Sequence, residues 1–261
     1  MRSLNIAATG MLAQQLNVEV ISNNIANMNT TAFKRQRAEF QDLLYQDQRR
    51  VGSTSSDTGT IVPAGVQIGV GVKTAAVYRI TEQGNLVSTN NTYDVAIQGK
   101  GFFKVTLPSG DTAYARAGSF QLSPTGVIVT TDGYTVQPGL TIPSDAVSVT
   151  INANGEVLVK QQSQITPTNV GQFTLATFAN EAGLEPIGDN LFLETPASGT
   201  ATDGTPGKTG VGTILQGFLE TANVNVVQEI TNLITAQRAY EMNSKVIETS
   251  DEMMRSLTQM R

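Results

Sequence analysis

Along the first thirty residues, small and apolar side chains recur at Leu4, Ala7, Met11, Val18, Ile21, Ile25 and Met28, and only Gln14 interrupts the series. The steps alternate three and four, which is the a/d stripe of a heptad repeat. They predict a helix of roughly 25 residues, about 38 Å long at 1.5 Å per residue. A helix with such a stripe is marginal alone in water and needs a partner. The far end of the chain offers one, with Val226, Ile230, Leu233, Gln237, Tyr240, Ile247 and Met254 on a second stripe, Ile234 and Leu257 beside it, and Ser244 and Asp251 as weak steps. The plainest use of two such helices is to pack on a common core. The polar steps Gln14 and Gln237 argue for more. A short pair with polar seam positions buries little area, so the helices are expected to pair with each other and with copies from neighbouring chains.

The middle of the chain changes period. The first helix is expected to end around Asn23, Asn24, Asn27 and Asn29, because asparagine tolerates left-handed backbone and bonds nearby backbone groups. The basic run Lys34, Arg35 and Arg37 reads as a solvated face or as charge partners for Glu39 and Asp42. From Gln46 to Gly71, glycine, serine and proline exclude helix and predict a long protruding loop or hairpin, with Thr60–Val62 and Val66–Val72 as short extended pieces. Strand signals follow from Val72 to Leu219: alternation over Thr74–Ile80, a hairpin from Gly101 through Pro108–Asp111 to Tyr114, turns at Thr125–Gly126 and Asp132–Gly133, and a strand over Phe173–Phe178. The clearest hairpin joins Val147–Ile151 to Val157–Val159 through Asn154–Gly155, a pair that favours a type I′ turn. Pro196–Gly212 reads as a second loop. The fold class is therefore α+β: terminal helices paired as a coiled-coil-like inner domain, an extended linker or hairpin, and a β-rich, barrel- or sandwich-like outer domain. The expected boundaries are 1–31, 32–71, 72–220 and 221–261.

Composition narrows the chemistry. Of 261 residues none is cysteine and none is histidine, so disulfides, Ser-His-Asp and Cys-His centres and zinc sites are excluded. The net charge of −5 argues against a nucleic-acid partner. No apolar run approaches the roughly 18 residues that span a bilayer. Asn5, Gln14, Gln15 and Asn17 break any apolar signal region, so a cleaved secretory leader is not expected. Gly69-Val70-Gly71 and Gly210-Val211-Gly212 complete no phosphate-binding motif. Paired carboxylates remain open to glycosidase chemistry, with Glu156, Glu181, Glu185, Asp189 and Glu194 in the β region, but no spacing pairs them. Glu241, Glu248, Asp251 and Glu252 read as the solvated face of the second helix. Asn29-Thr30-Thr31 fits a glycosylation sequon and carries no weight without a secretory context. No cofactor or metal is expected.

Three terminal segments and two central ones carry a family resemblance. Ser22-Asn23-Asn24-Ile25-Ala26-Asn27-Met28-Asn29-Thr30-Thr31-Ala32-Phe33-Lys34 resembles the N-terminal signature of bacterial flagellar rod and hook proteins. Asn223–Val227 and Ala236-Gln237-Arg238-Ala239-Tyr240-Glu241-Met242-Asn243-Ser244-Lys245 resemble its C-terminal signature. Asp94–Phe103 and Ala115-Arg116-Ala117-Gly118-Ser119-Phe120 resemble its middle. Asp42–Gln46 running into Pro63–Gly71, together with the length, points to the distal part of the rod more than to the proximal rod or the hook. Ala32 stands where that family usually has glycine, which suggests a less strained turn, and Thr221-Ala222 departs from its usual pair.

The resemblance implies a structural, non-enzymatic subunit of the distal rod that self-assembles into a helical tube and transmits motor torque to the hook. Its implied partners are copies of itself, proximal rod proteins, hook protein, the surrounding L and P rings and the flagellar type III export apparatus. It implies a place in the basal body, crossing the periplasm toward the outer membrane without being embedded in membrane. The expected assembly surface is Leu4, Met11, Val18, Ile21, Asn23, Asn24, Ile25, Asn27, Met28 and Phe33 at one end. At the other it is Val226, Ile230, Leu233, Gln237, Tyr240, Ile247 and Met254. A proximal rod or hook paralogue, or an extracellular β-rich carboxylate enzyme, are the competing expectations.

Overall fold

The computed structural model describes residues 2–49, 64–162, 164 and 166–260. Two helices dominate the ends: α1, Arg2–Ala26, and α2, Val226–Gln259. Asn225 caps α2, its side-chain oxygen accepting from the Gln228 N–H at 3.3 Å, which satisfies one of the orphan donors of a helix start. Among the described residues no helix is long and apolar enough to cross a membrane.

The chain divides into two compact units. The first joins both helices to residues 36–78. Within it Gln36–Asp42 pairs with Val72–Arg79, and Tyr45–Arg49 pairs antiparallel with Val66–Gly69. The 46–71 stretch thus begins and ends as a hairpin; Thr60–Val62 lies outside the described residues. Gly71 lets this arm approach α1 closely. Its φ is +129°, where L side chains are rare, and a Cβ there would overlap Thr9. The next amide, Val72 N–H, donates to the Thr9 hydroxyl at 3.3 Å. Close packing against α1 thus accounts for Gly71.

The second unit, residues 27–35 and 79–224, is β-rich. A nine-stranded sheet, a three-stranded sheet and smaller strand pairs build it, and they do not close into a barrel. Phe102–Thr106 and Thr112–Ala115 form the hairpin anticipated at Pro108–Asp111. Ala146–Ile151, Glu156–Gln161 and Thr168–Gln172 form the three-stranded sheet. Its first hairpin is closed by the Asn152 N–H donating to the Glu156 carbonyl at 3.1 Å and the Gly155 N–H donating to the Asn152 carbonyl at 2.9 Å. Gly155 has φ +81° but Asn154 is not in the left-handed region. The connection is therefore a type I turn followed by a left-handed glycine, not the expected type I′ turn. Asn152 favours the longer loop, because its amide grips both the backbone N–H and the carboxylate of Glu156, at 3.0 and 2.7 Å. Inside Pro196–Gly212, expected as a loop, Thr202–Gly204 pairs with Leu175–Thr177 as an edge strand.

The largest buried apolar cluster among the described residues gathers side chains from several of these sheets. Phe103, Phe120 and Phe173 stand at its centre, with Val149, Ile151, Val157 and Val159 from the three-stranded sheet and Val95, Ile97 and Ile214 from a strand pair. Phe103 meets Phe120 edge-on at 5.0 Å between centroids, a geometry that adds about 0.5–1.5 kcal/mol beyond burial.

Candidate assembly surface

The helix pair is antiparallel and its contact line repeats every seven residues. Ser3 meets Ser250 through their hydroxyls at 3.4 Å. A Cβ on Gly10 would stand 2.9 Å from the Asn243 amide nitrogen. Asn24 donates to the Glu229 carboxylate at 3.3 Å. The same register sets Asn17 opposite Ala236, which is 2% exposed. The contact therefore runs through small and polar residues, supported by buried Ala7, Ala13, Val20 and Ile21. Beyond Ala7 it lies mostly one position off the large-residue stripe expected from the sequence. Close approach explains the offset: Ala7, Gly10 and Ala13 let the backbones come together where Met11 and Gln14 would hold them apart.

The displaced apolar residues stay outward. Leu4, Met11, Val18 and Ile25 are half-buried, as are Val226, Leu233 and Ile247. Ile230, Tyr240 and Met254 are exposed, and so are Leu12, Val227, Ile234, Met242, Val246 and Met253. Gln237 is exposed, whereas Ile21 is buried inside the pair. An open groove of about 520 Å³ runs between the helices over Val18, Tyr240, Gln15, Glu19, Gln237 and Glu241.

The asparagines divide their tasks. Asn24 sits within the last turns of α1, 1% exposed. Its amide donates to the Gln36 carbonyl and accepts from the Gln36 N–H, each at 2.8 Å, so it stands in for a neighbouring strand. Asn23 is exposed. In the β-rich unit Asn27 accepts from the Thr30 N–H and hydroxyl, both at 3.1 Å. There Met28 is exposed and Phe33 half-buried.

The β-rich unit also holds a charged cluster that hydrophobic patterning did not single out. The Glu220 carboxylate accepts from Lys34 at 2.5 Å, from Arg116 at 2.7 Å and from the Gly84 N–H at 2.9 Å. Arg116 also donates to the carbonyls of Gly101, Gly99 and Ile97. Burial, the largest influence, pushes the Glu220 carboxyl up, but Arg116 and Lys34 outweigh it and hold it below its ordinary value. Burial pulls the Lys34 ammonium down, only partly offset by Glu220. Asn223 ties the same region, its oxygen accepting from the Arg35 N–H at 2.7 Å and its nitrogen donating to the carbonyls of Ile80 and Glu82. Of the basic run, only Arg37 takes Glu39, at 2.9 Å, as its partner in the way anticipated. Ala32 has φ +57° and is buried. Its turn is left-handed without a glycine, so it is strained, against the expectation that alanine would mark an easier turn.

Two of the carboxylates considered for glycosidase chemistry take structural hydrogen bonds. Glu156 is held by Asn152 at 2.7 Å. Glu194 accepts from the Ala201 N–H and the Tyr114 hydroxyl, at 3.1 and 3.4 Å. Glu185 and Asp189 are exposed. Among the described residues no group of three or more acidic residues could hold a metal ion.

Long terminal helices joined by a seam of small and polar residues leave large apolar side chains outside the pair. Comparison with known proteins supplies the class. Family models match at residues 4–34, a flagella basal body rod protein; 96–159, the D1 domain of flagellar hook protein FlgE/F/G; and 215–260, the C-terminal part of flagellar basal body rod FlgEFG proteins. The chain is 62% identical to the flagellar basal-body rod protein FlgG of Caulobacter vibrioides over the whole of both chains. It is 55% identical to that of Agrobacterium fabrum over 97% of each, and 39% identical to that of Bacillus subtilis over 100% and 99%. The chain belongs to the flagellar basal-body rod protein family, of the FlgG type, and is a structural component of the rod.

Proposed function

We propose that this chain forms the distal rod as a helical homopolymer, a tube that carries torque to the hook, and that it does so without catalysis of its own. The observation that carries this reading is the inverted character of the helix pair. Its internal seam is small and polar, while Leu12, Val227, Tyr240 and Met242 face outward. Burying those side chains against neighbours contributes about 1.5–3 kcal/mol each when complete. Contacts between unlike surfaces propagate as a helical filament when the repeated rotation does not close a ring. Proximal rod and hook proteins would meet the two ends of the tube, the L and P rings would surround it, and the type III export apparatus would deliver the chain. The hairpin within residues 46–71 would lie between subunits and stiffen the wall.

Electron microscopy of the purified chain tests this. Straight tubes that disappear in Leu12→Asp and Tyr240→Asp support it. A folded chain that stays monomeric at every concentration contradicts it.

A further inference from the structure

The β-rich unit contains a cavity of about 350 Å³ that the assembly surface does not use. Its floor is apolar, with Phe102 and Leu184 buried. Phe102 and Phe192 meet edge-on at 6.1 Å. The Arg79 guanidinium lies 5.4 Å from the centroid of the Phe192 ring, which fixes its plane. Arg79 is half-buried, and among the described residues no carboxylate pairs with it. Burial alone acts on its pKa, and lowers it. The other cations in the wall are differently placed. Lys34 and Arg116 are taken up by Glu220. Lys100 adds a further positive charge. Glu82 and Glu181 also line the cavity, and Glu82 lies 4.0 Å from Arg35. Counting Glu220, the cavity carries four cations against three anions, in a chain of net charge −5.

A planar guanidinium held on an aromatic face and lacking an anion is suited to a carboxylate, which it binds through two parallel hydrogen bonds. The apolar floor suits the short stem that carries such a group. The volume is in the range of ligand sites and admits a glutamate side chain with part of its backbone. We propose that this cavity is a carboxylate-binding site, with Arg79 as the anchor, and that it takes an acidic side chain from an adjoining copy of the chain. The choice of occupant rests on the assembly reading above and on the acidic character of the chain, which presents exposed Glu241, Glu248, Asp251 and Glu252 on α2. In a repeating polymer every cavity would receive the same residue.

Nuclear magnetic resonance on the full-length monomer tests the site, with N-acetyl-glutamate amide as the probe. The wild type is expected to show saturable shifts at the Arg79 Nε–H and at Gly99, weakened at least tenfold in Arg79→Gln and less in Arg79→Lys. Unchanged melting temperatures in both variants show that the fold is intact. Shifts that are absent, or the same in Arg79→Gln, overturn the site. Sedimentation then tests the source of the acid. A several-fold higher critical concentration for Arg79→Gln, mimicked in the wild type by saturating probe, supports the neighbouring copy. Wild-type polymerisation by Arg79→Gln assigns the site to a free carboxylate and overturns that occupant. A wild-type chain that never polymerises removes the assembly reading but leaves the magnetic-resonance result standing.

Discussion

Asn24 of α1 and Glu229 of α2 meet inside the helix pair, amide to carboxylate at 3.3 Å, with both side chains almost wholly shielded from water. The same Asn24 completes the edge of the strand Gln36–Asp42 through two 2.8 Å hydrogen bonds. One residue thus fixes the helix pair and the start of the extended arm. Asn24→Ala strands the Gln36 N–H and C=O and leaves the Glu229 carboxylate with one partner fewer. An unsatisfied buried polar group costs about 1–3 kcal/mol. Hydrogen exchange at the Gln36 amide is expected to accelerate about tenfold or more in the variant, with little change at Phe103.

Gly10→Leu tests the close approach of the helices. A Cβ already reaches 2.9 Å from the Asn243 side-chain amide, so a leucine must displace that side chain and crowd the seam. Overpacking of this kind costs about 1–3 kcal/mol. The helical signal at 222 nm is expected to melt earlier, while the β-rich unit keeps its own transition.

Glu220 makes the β-rich unit sensitive to acid. Its folded pKa lies below the ordinary 4.5. Its stabilisation is therefore fully present above about pH 4.5 and is lost as pH falls through the folded value. Glu220→Gln leaves Lys34 and Arg116 without their shared anion, and breaking a buried pair this way costs about 3–5 kcal/mol. Urea melts across pH 3–7 are expected to show a steep loss of stability below pH 4.5 in the wild type and a flatter profile in the variant.

Ala32→Gly is expected to stabilise the chain. At φ +57° alanine bears a strain of about 1–2 kcal/mol that glycine lacks, partly offset by the greater freedom of glycine when unfolded. A net gain of about 0.5–1 kcal/mol should appear as a higher melting temperature.

The helices and most hairpins were legible because period and turn residues are local signals. The stripe Leu4–Met28 located α1, and Pro108–Asp111 located the turn before Tyr114. The true contact line of the helices was not legible beyond Ala7, because Gly10 and Ala13 carry little hydrophobic weight and matter through the space they leave. The Thr202–Gly204 strand lacks alternation and is an edge set by its partner, Leu175–Thr177. The Lys34–Glu220–Arg116 cluster joins residues far apart in sequence. Its one local trace is a charge, Arg116, set among the small residues Ala115, Ala117 and Gly118. The outward position of Ile230 and Tyr240 follows from the one-residue offset of the seam, which no periodicity count resolves.

In the proposed assembly the outer apolar faces of the helix pair build the polymer. Electron microscopy of Leu12→Asp beside the wild type, at equal concentration, tests it most directly. Tubes are expected from the wild type and none from the variant, whose β-rich unit still melts at the wild-type temperature. Tubes of normal length and diameter from Leu12→Asp would contradict it.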